Sequence, residues 1–189
     1  NANVWQFDDY DTEAYYQSAR GVDRPMPRGC YITSASMKDP DDAWHAPKDV
    51  STVEVMALLP NDARAWGVSP ESVADGSYSK APAYLERKAA IEDDLVRRLD
   101  NVFPGTGQNV VFRESATPAS QARFTRASGG SGYGLAAIPS QFNDRRPDVK
   151  GPIDGLYLCG ASTRSGHGIL GALLSGRIAA KRIEKTLRR

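Results

Sequence analysis

The sequence predicts an α+β fold, an antiparallel sheet with helices on one side, from three features. Short apolar segments, Asn3–Phe7, Cys30–Ala35 and Ser51–Leu59, read as strands separated by polar loops. The stretch from Pro82 to Val102 repeats its apolar residues every three or four positions, the period of a helix with one buried face. Last comes a strand, a glycine-broken loop and a second long helix, from Gly155 to the end.

Taken in order, Asn-Val-Trp-Gln-Phe alternates as a strand should, and Asp11-Thr12-Glu13 signals a helix start for Ala14–Arg20, with acids in the first turn. Gly21–Arg28 is loop, broken by Pro25 and Pro27. Cys30–Ala35 is a strand, Lys38–Asp49 a polar connection, and Ser51–Leu59 a strand with a fully apolar end. The Pro82–Val102 helix puts Tyr84, Ala89, Ile91, Leu95, Leu99 and Val102 on one face, with Glu86, Arg87, Asp93, Asp94, Arg97 and Arg98 covering the rest. Phe103-Pro104-Gly105 ends it. Asn109–Ala116 is expected as a further strand, and Thr117-Pro118 opens a short helix to Ala127. Ser128–Gly134 is glycine-rich loop, and Arg145-Arg146-Pro147 to Pro152 an exposed linker.

Composition narrows the function classes. The chain has 189 residues, 40% hydrophobic and 25% charged, enough for a sizeable core. A net charge of +1 removes the electrostatic case for nucleic acid. No apolar run approaches the roughly eighteen residues of a membrane span. Cys30 and Cys159 are too few for a disulfide framework, so a reducing, cytoplasmic setting is expected. Two histidines and two distant cysteines build no zinc constellation, so no metal is expected, and no nucleophile elbow is present.

The chemistry concentrates in the closing segment. Leu156, Tyr157, Leu158 and Cys159 form an apolar run between glycines, read as a buried strand. In the helix that follows, Ile169, Leu173, Gly176, Ala180, Ile183 and Leu187 share one face, while Arg177, Lys181, Arg182 and Lys185 lie towards the negative end of its dipole. Gly166, Gly168 and Gly171 keep the helix start small, and first-turn N–H groups without partners suit an anion or an electron-rich carbonyl. The spacing matches GxGxxG, but no second strand and acidic residue follow within the sequence, so it is not a dinucleotide fingerprint.

Gly-Leu-Tyr-Leu-Cys-Gly-Ala-Ser-Thr followed by Gly-His-Gly-Ile-Leu-Gly-Ala-Leu-Leu-Ser-Gly-Arg-Ile-Ala-Ala resembles the C-terminal flavin-binding segment of the phytoene desaturase family. That family of FAD-dependent oxidoreductases takes in carotenoid desaturases and isomerases and retinol saturases. The resemblance is tight here and looser upstream, through Thr117-Pro118 and Gly130–Gly134. It implies flavin contacts at Gly160, Ala161, Gly168, Ile169, Leu170 and Gly171, with the helix start facing the pyrimidine end of the isoalloxazine. It also implies that residues 1–150 are most of a substrate-binding domain, and that 151–189 are the terminal β–α element of an FAD-binding domain. The chain is therefore read as a C-terminal fragment, inactive alone, whose partner is the N-terminal FAD-binding portion of the same protein.

Other residues carry weaker signals. Tyr133 lines a pocket or sits in a plain turn. His167 moves a proton or is merely structural, and departs from the small residues the family has there. Arg164 steadies a flavin carbonyl or phosphate, or is solvated. Cys159 reads as an inert small hydrophobe, and His45 has no assigned role. No catalytic residue is identified. The expected function is FAD-dependent redox chemistry on a polyene, with a lipophilic small-molecule substrate, compatible with peripheral membrane contact. The alternatives are a cofactor-free interaction or lipid-binding module, and an amine-oxidase-like flavoprotein; against the latter, Ala161 stands where such enzymes carry an acid.

Overall fold

The computed structural model describes residues 2–23 and 26–188. Pro25, expected as a loop breaker, lies outside them. The chain divides into two compact units, the first ending at Gly130 and the second beginning at Ser131.

The first unit runs β1 (Val4–Phe7), α1 (Thr12–Ser18), β2 (Gly29–Thr33), α2 (Ala35–Lys38), β3 (Glu54–Met56), α3 (Pro70–Asp75), α4 (Pro82–Val102) and α5 (Pro118–Thr125). The architecture is α+β: β1, β2 and β3 form an antiparallel sheet in that order, with Val4 opposite Ile32 and Ile32 opposite Val55. Alternation sends Cys30 and Ile32 to one face, where they pack with Leu99 of α4 and with Val4, Val55, Leu95 and Val102. Trp5, Phe7 and Tyr31 turn the other way, and Trp5 packs on Tyr31 with ring centroids 4.9 Å apart. A second cluster joins Trp66, Tyr78, Tyr84 and Ile91, where Trp66 Nε1 donates to the Pro60 carbonyl and Tyr84 pairs with Thr117.

Helix α4 has the predicted limits, because Pro82 at its first position and Phe103-Pro104 after it set both ends. Its faces differ from expectation. Ala89 is exposed. Arg98, expected on the polar face, is 4% exposed. Its guanidinium donates to both carboxylate oxygens of Asp8 (2.6 and 3.1 Å), to Asp94 (2.7 Å), to Gln6 (2.8 Å) and to the Pro27 carbonyl. A fork of five donors with that many acceptors can be buried where a lone charge cannot.

The expected strands are shortened or absent. Of Ser51–Leu59 only Glu54–Met56 pairs. Asn109–Ala116 is no strand: Val111 and Phe112 are 86% and 77% exposed, since no neighbouring strand lies along them among the described residues. β-propensity expresses itself only against a partner.

The second unit holds α6 (Gly168–Leu187) and the loops before it. Leu156–Cys159 makes only an isolated antiparallel bridge, Lys150 to Tyr157, instead of a buried strand, and Cys159 is exposed. Helix α6 buries Gly171, Ser175 and Ala179, one small residue per turn. The apolar face picked out by the periodicity lies in solvent, with Ile169 83% and Leu173 68% exposed. Small residues let the preceding loop sit against the backbone, so the close-packed side of α6 is the small one.

Candidate functional site

The start of α6 is an uncapped helix N-terminus. His167 occupies the cap position without a side-chain hydrogen bond, and the first turn carries no acid. Its leading N–H groups remain directed outward, with the positive end of the helix dipole behind them. Gly168 has φ +82°, a conformation that side chains rarely adopt, and a Cβ there meets nothing within 4 Å.

The six residues singled out by the resemblance fall into three environments. Gly168, Ile169 and Leu170 are exposed on the first turn, and Gly160 and Ala161 are half-buried on the turn before it. Gly171 is buried: a Cβ on it would lie 2.7 Å from the Ser165 carbonyl and closer still to that of Gly166. The Gly160 turn is tied to the helix by Ser175, whose buried hydroxyl accepts from Gly160 N–H at 2.7 Å and donates to the Ala172 carbonyl at 2.6 Å. Thr163, also buried, donates from its hydroxyl to the Gly160 carbonyl at 2.9 Å.

Arg146, expected in an exposed linker, is 3% exposed. Nε donates to the Gln141 carbonyl (2.9 Å), Nη1 to that of Ala161 (2.7 Å) and Nη2 to that of Leu135 (2.7 Å). It thereby joins the Ala161 turn to the loop Ser131–Ala137. That loop and His167 line a cleft of about 520 Å³ with mostly apolar walls. The Tyr133 ring meets His167 edge-on on the wall of this cleft, centroids 5.4 Å apart. Gly134 lies close enough to Ser162 that a Cβ would fall 2.6 Å from its hydroxyl.

Arg164 is half exposed and bonded within the unit, to the Arg146 carbonyl and to Asp148, both at 3.4 Å. Asp148 is shared with Arg182 at 2.9 Å, and the Arg182 hydrogen bond holds its carboxyl below the usual range. Elsewhere, Asp39, Asp42 and His45 bring three ligand-type atoms within 4.8 Å of one another. There His45 Nε2 lies 3.7 Å from Asp42 and 3.9 Å from Asp39, on a loop. Sequence reasoning missed Ser175 and Arg146. A Gly171-Ser175-Ala179 row at every fourth residue was the available signal for the first; nothing in a basic Arg-Arg-Pro run distinguishes the second.

Among the described residues no helix is long and apolar enough to cross a membrane. A family model described as flavin containing amine oxidoreductase matches residues 70–184. A chloroplastic prolycopene isomerase of Daucus carota is 30% identical over 125 residues, covering 61% of this chain and 19% of the relative. Prolycopene isomerase 2, chloroplastic, of an Oncidium hybrid cultivar is 33% identical over 106 residues, 55% of this chain and 18% of the relative. Pyridine nucleotide-disulfide oxidoreductase domain-containing protein 2 of Mus musculus is 31% identical over 108 residues, 54% of this chain and 18% of the relative. The chain thus matches about a fifth of the length of these curated relatives. No solved structure matches it significantly. These matches bear out the resemblance carried by the closing segment: the chain belongs to the flavin containing amine oxidoreductase family, and its cofactor is FAD.

Proposed function

We propose that this chain is part of an FAD-dependent oxidoreductase that acts on a polyene, by desaturation, saturation or isomerisation of a carotenoid or retinoid. The observation that carries the reading is the uncapped, acid-free start of α6 in the same unit as a mostly apolar cleft. The prolycopene isomerases among the relatives favour a polyene over an amine.

The residues present fit a flavin. An acid or a capping side chain at the start of α6 would compete with an electron-rich ring edge, and neither is there. Cβ atoms on Gly160 and Gly168 would meet nothing within 4 Å, so both backbones are open to close approach. Gly160, Ala161, Gly168, Ile169 and Leu170 would hold the group, with Gly171 securing the loop beneath. FAD, when bound, supplies the electron transfer. The chain's part is to point N–H dipoles at the place where negative charge develops, a preorganised stabilisation that needs no side-chain acid or base. The cleft of Ser131–Ala137 and His167 would offer an apolar chain a mostly apolar wall.

In this reading residues 1–150 belong to the substrate-binding domain and 151–189 close the FAD-binding domain. The ADP half of the cofactor is held by an N-terminal portion of the same protein, and a lipophilic substrate is taken up with peripheral membrane contact. The test is purification of the polypeptide carrying this sequence from its source cells, followed by its visible spectrum and assay on carotenoids and retinoids. The expected result is a yellow protein that releases FAD on denaturation and changes the absorption of one polyene class. A colourless protein would overturn the reading, as would a flavoprotein that oxidises amines and leaves polyenes untouched.

A further inference from the structure

Arg146 is a buried cation whose three described side-chain partners are all backbone carbonyls. Each carbonyl belongs to a different stretch: Leu135 on the cleft wall, Gln141 in the turn after it, and Ala161 on the turn before α6. The planar fork fixes the three at once, because the directions of its N–H bonds are rigid. A lysine in its place has one nitrogen and cannot span them.

The surroundings tighten the same joint. Arg164 donates its backbone N–H to the Pro147 carbonyl at 3.1 Å and its Nε to the carbonyl of Arg146 itself. Gly134 packs on Ser162 with no room for a side chain. Leu158 N–H donates to the Val149 carbonyl at 2.8 Å. The cleft loop and the Gly160–Ala161 turn are therefore held at one separation, and among the described residues Arg146 is the side chain hydrogen-bonded to both.

We infer that Arg146 is the positioning residue that sets the cleft wall against the cofactor turn, so that its fork, and not merely its charge, determines flavin binding and the flavin's surroundings. This rests on the functional reading above. The test compares Arg146→Lys and Arg146→Met with the wild-type protein, in its flavin-containing form. Two readouts are taken: hydrogen exchange by mass spectrometry over 131–141 and 159–163, and the flavin dissociation constant with its visible absorption spectrum.

Both variants are expected to exchange faster in those two stretches while α4 keeps its protection. Both should bind flavin at least about tenfold more weakly, with a shifted spectrum. Arg146→Lys, which should fold because it retains the charge, should behave like Arg146→Met. Wild-type affinity and spectrum in Arg146→Lys would overturn the role of the fork. Faster exchange with an unchanged flavin would reduce Arg146 to a structural residue and overturn the proposal. A wild-type protein without flavin would refute the functional reading itself, and is told apart because it is seen before any variant is made.

Discussion

The hydroxyl of Ser175 accepts the Gly160 N–H at 2.7 Å and donates to the carbonyl of Ala172, so one fully buried side chain fastens the turn before α6 onto its second turn. Ser175→Ala removes the acceptor and leaves a half-buried N–H without it. The expected cost is about 1–3 kcal/mol, the range for a buried donor left unpaired. Thermal unfolding checks the loss, and faster amide exchange at Gly160 localises it. An unchanged exchange rate at Gly160 would show that the bond does not hold the turn.

Gly171 separates two reasons for a glycine. Its missing Cβ makes room for the carbonyls of Ser165 and Gly166. Gly171→Ala should therefore cost about 1–3 kcal/mol through overpacking alone, with part of the flavin retained. Gly171→Glu adds an anion beside the helix start and should abolish flavin incorporation. Flavin content per polypeptide measures both, and normal content in the glutamate variant would refute the site.

The Arg98 cluster should show itself in acid. The hydrogen bond from Arg98 holds the Asp8 carboxyl below its ordinary value, against a smaller opposing effect of burial. A depressed folded pKa contributes stability above the unfolded value, about 3.9, and that stability is lost as pH falls through the folded value. Asp8→Asn should flatten stability against pH on the acid side. The effect at neutral pH should be under about 1 kcal/mol, because the Asp8 side chain is 43% exposed and screened. Arg98→Met should cost more, about 3 kcal/mol, since it takes away one of the two cations on the nearly buried Asp94 carboxylate, leaving Arg97, and removes a donor from the Pro27 carbonyl. Urea unfolding of the two variants at pH 7 and pH 3 checks the order.

The two thiols should react differently. Cys159 is exposed and Cys30 buried between sheet and α4, where burial pushes its thiol up. A maleimide reagent at neutral pH should modify Cys159 within minutes and Cys30 only after denaturant is added. Equal rates would contradict the packing of β2 on α4.

Periodicity made β1, β2 and α4 legible, because an alternating run beside a helix with one apolar face has few ways to bury itself. The closing segment misled in two ways. Leu156–Cys159 has strand composition but pairs only at Lys150–Tyr157. Helix α6 carries its large apolar residues on the side away from its loop, so hydrophobicity pointed to the wrong face. Arg98 and Arg146 were unreadable for one reason: a charged residue in a sequence looks solvated until its acceptors arrive. Those of Arg98 include Asp8, ninety residues away, and those of Arg146 are backbone carbonyls that no residue type announces.

By itself the sequence determined where α4, α5 and α6 begin, through Pro82, Pro118 and the glycines before Ile169, since these act on the backbone locally; α3 (Pro70–Asp75) lies in a stretch, Asn61–Ser79, that reads as irregular. The sequence also carried the family, through the resemblance of Gly155–Thr163 and Gly166–Ala180 to a flavin-binding segment, which the family match over residues 70–184 bears out. Only the tertiary structure decided which face of α6 is packed, which arginines are buried, and that the Leu135 loop and the Ala161 turn share one guanidinium. Those depend on groups far apart in the chain arriving within 3 Å of each other, and only the fold sets such distances.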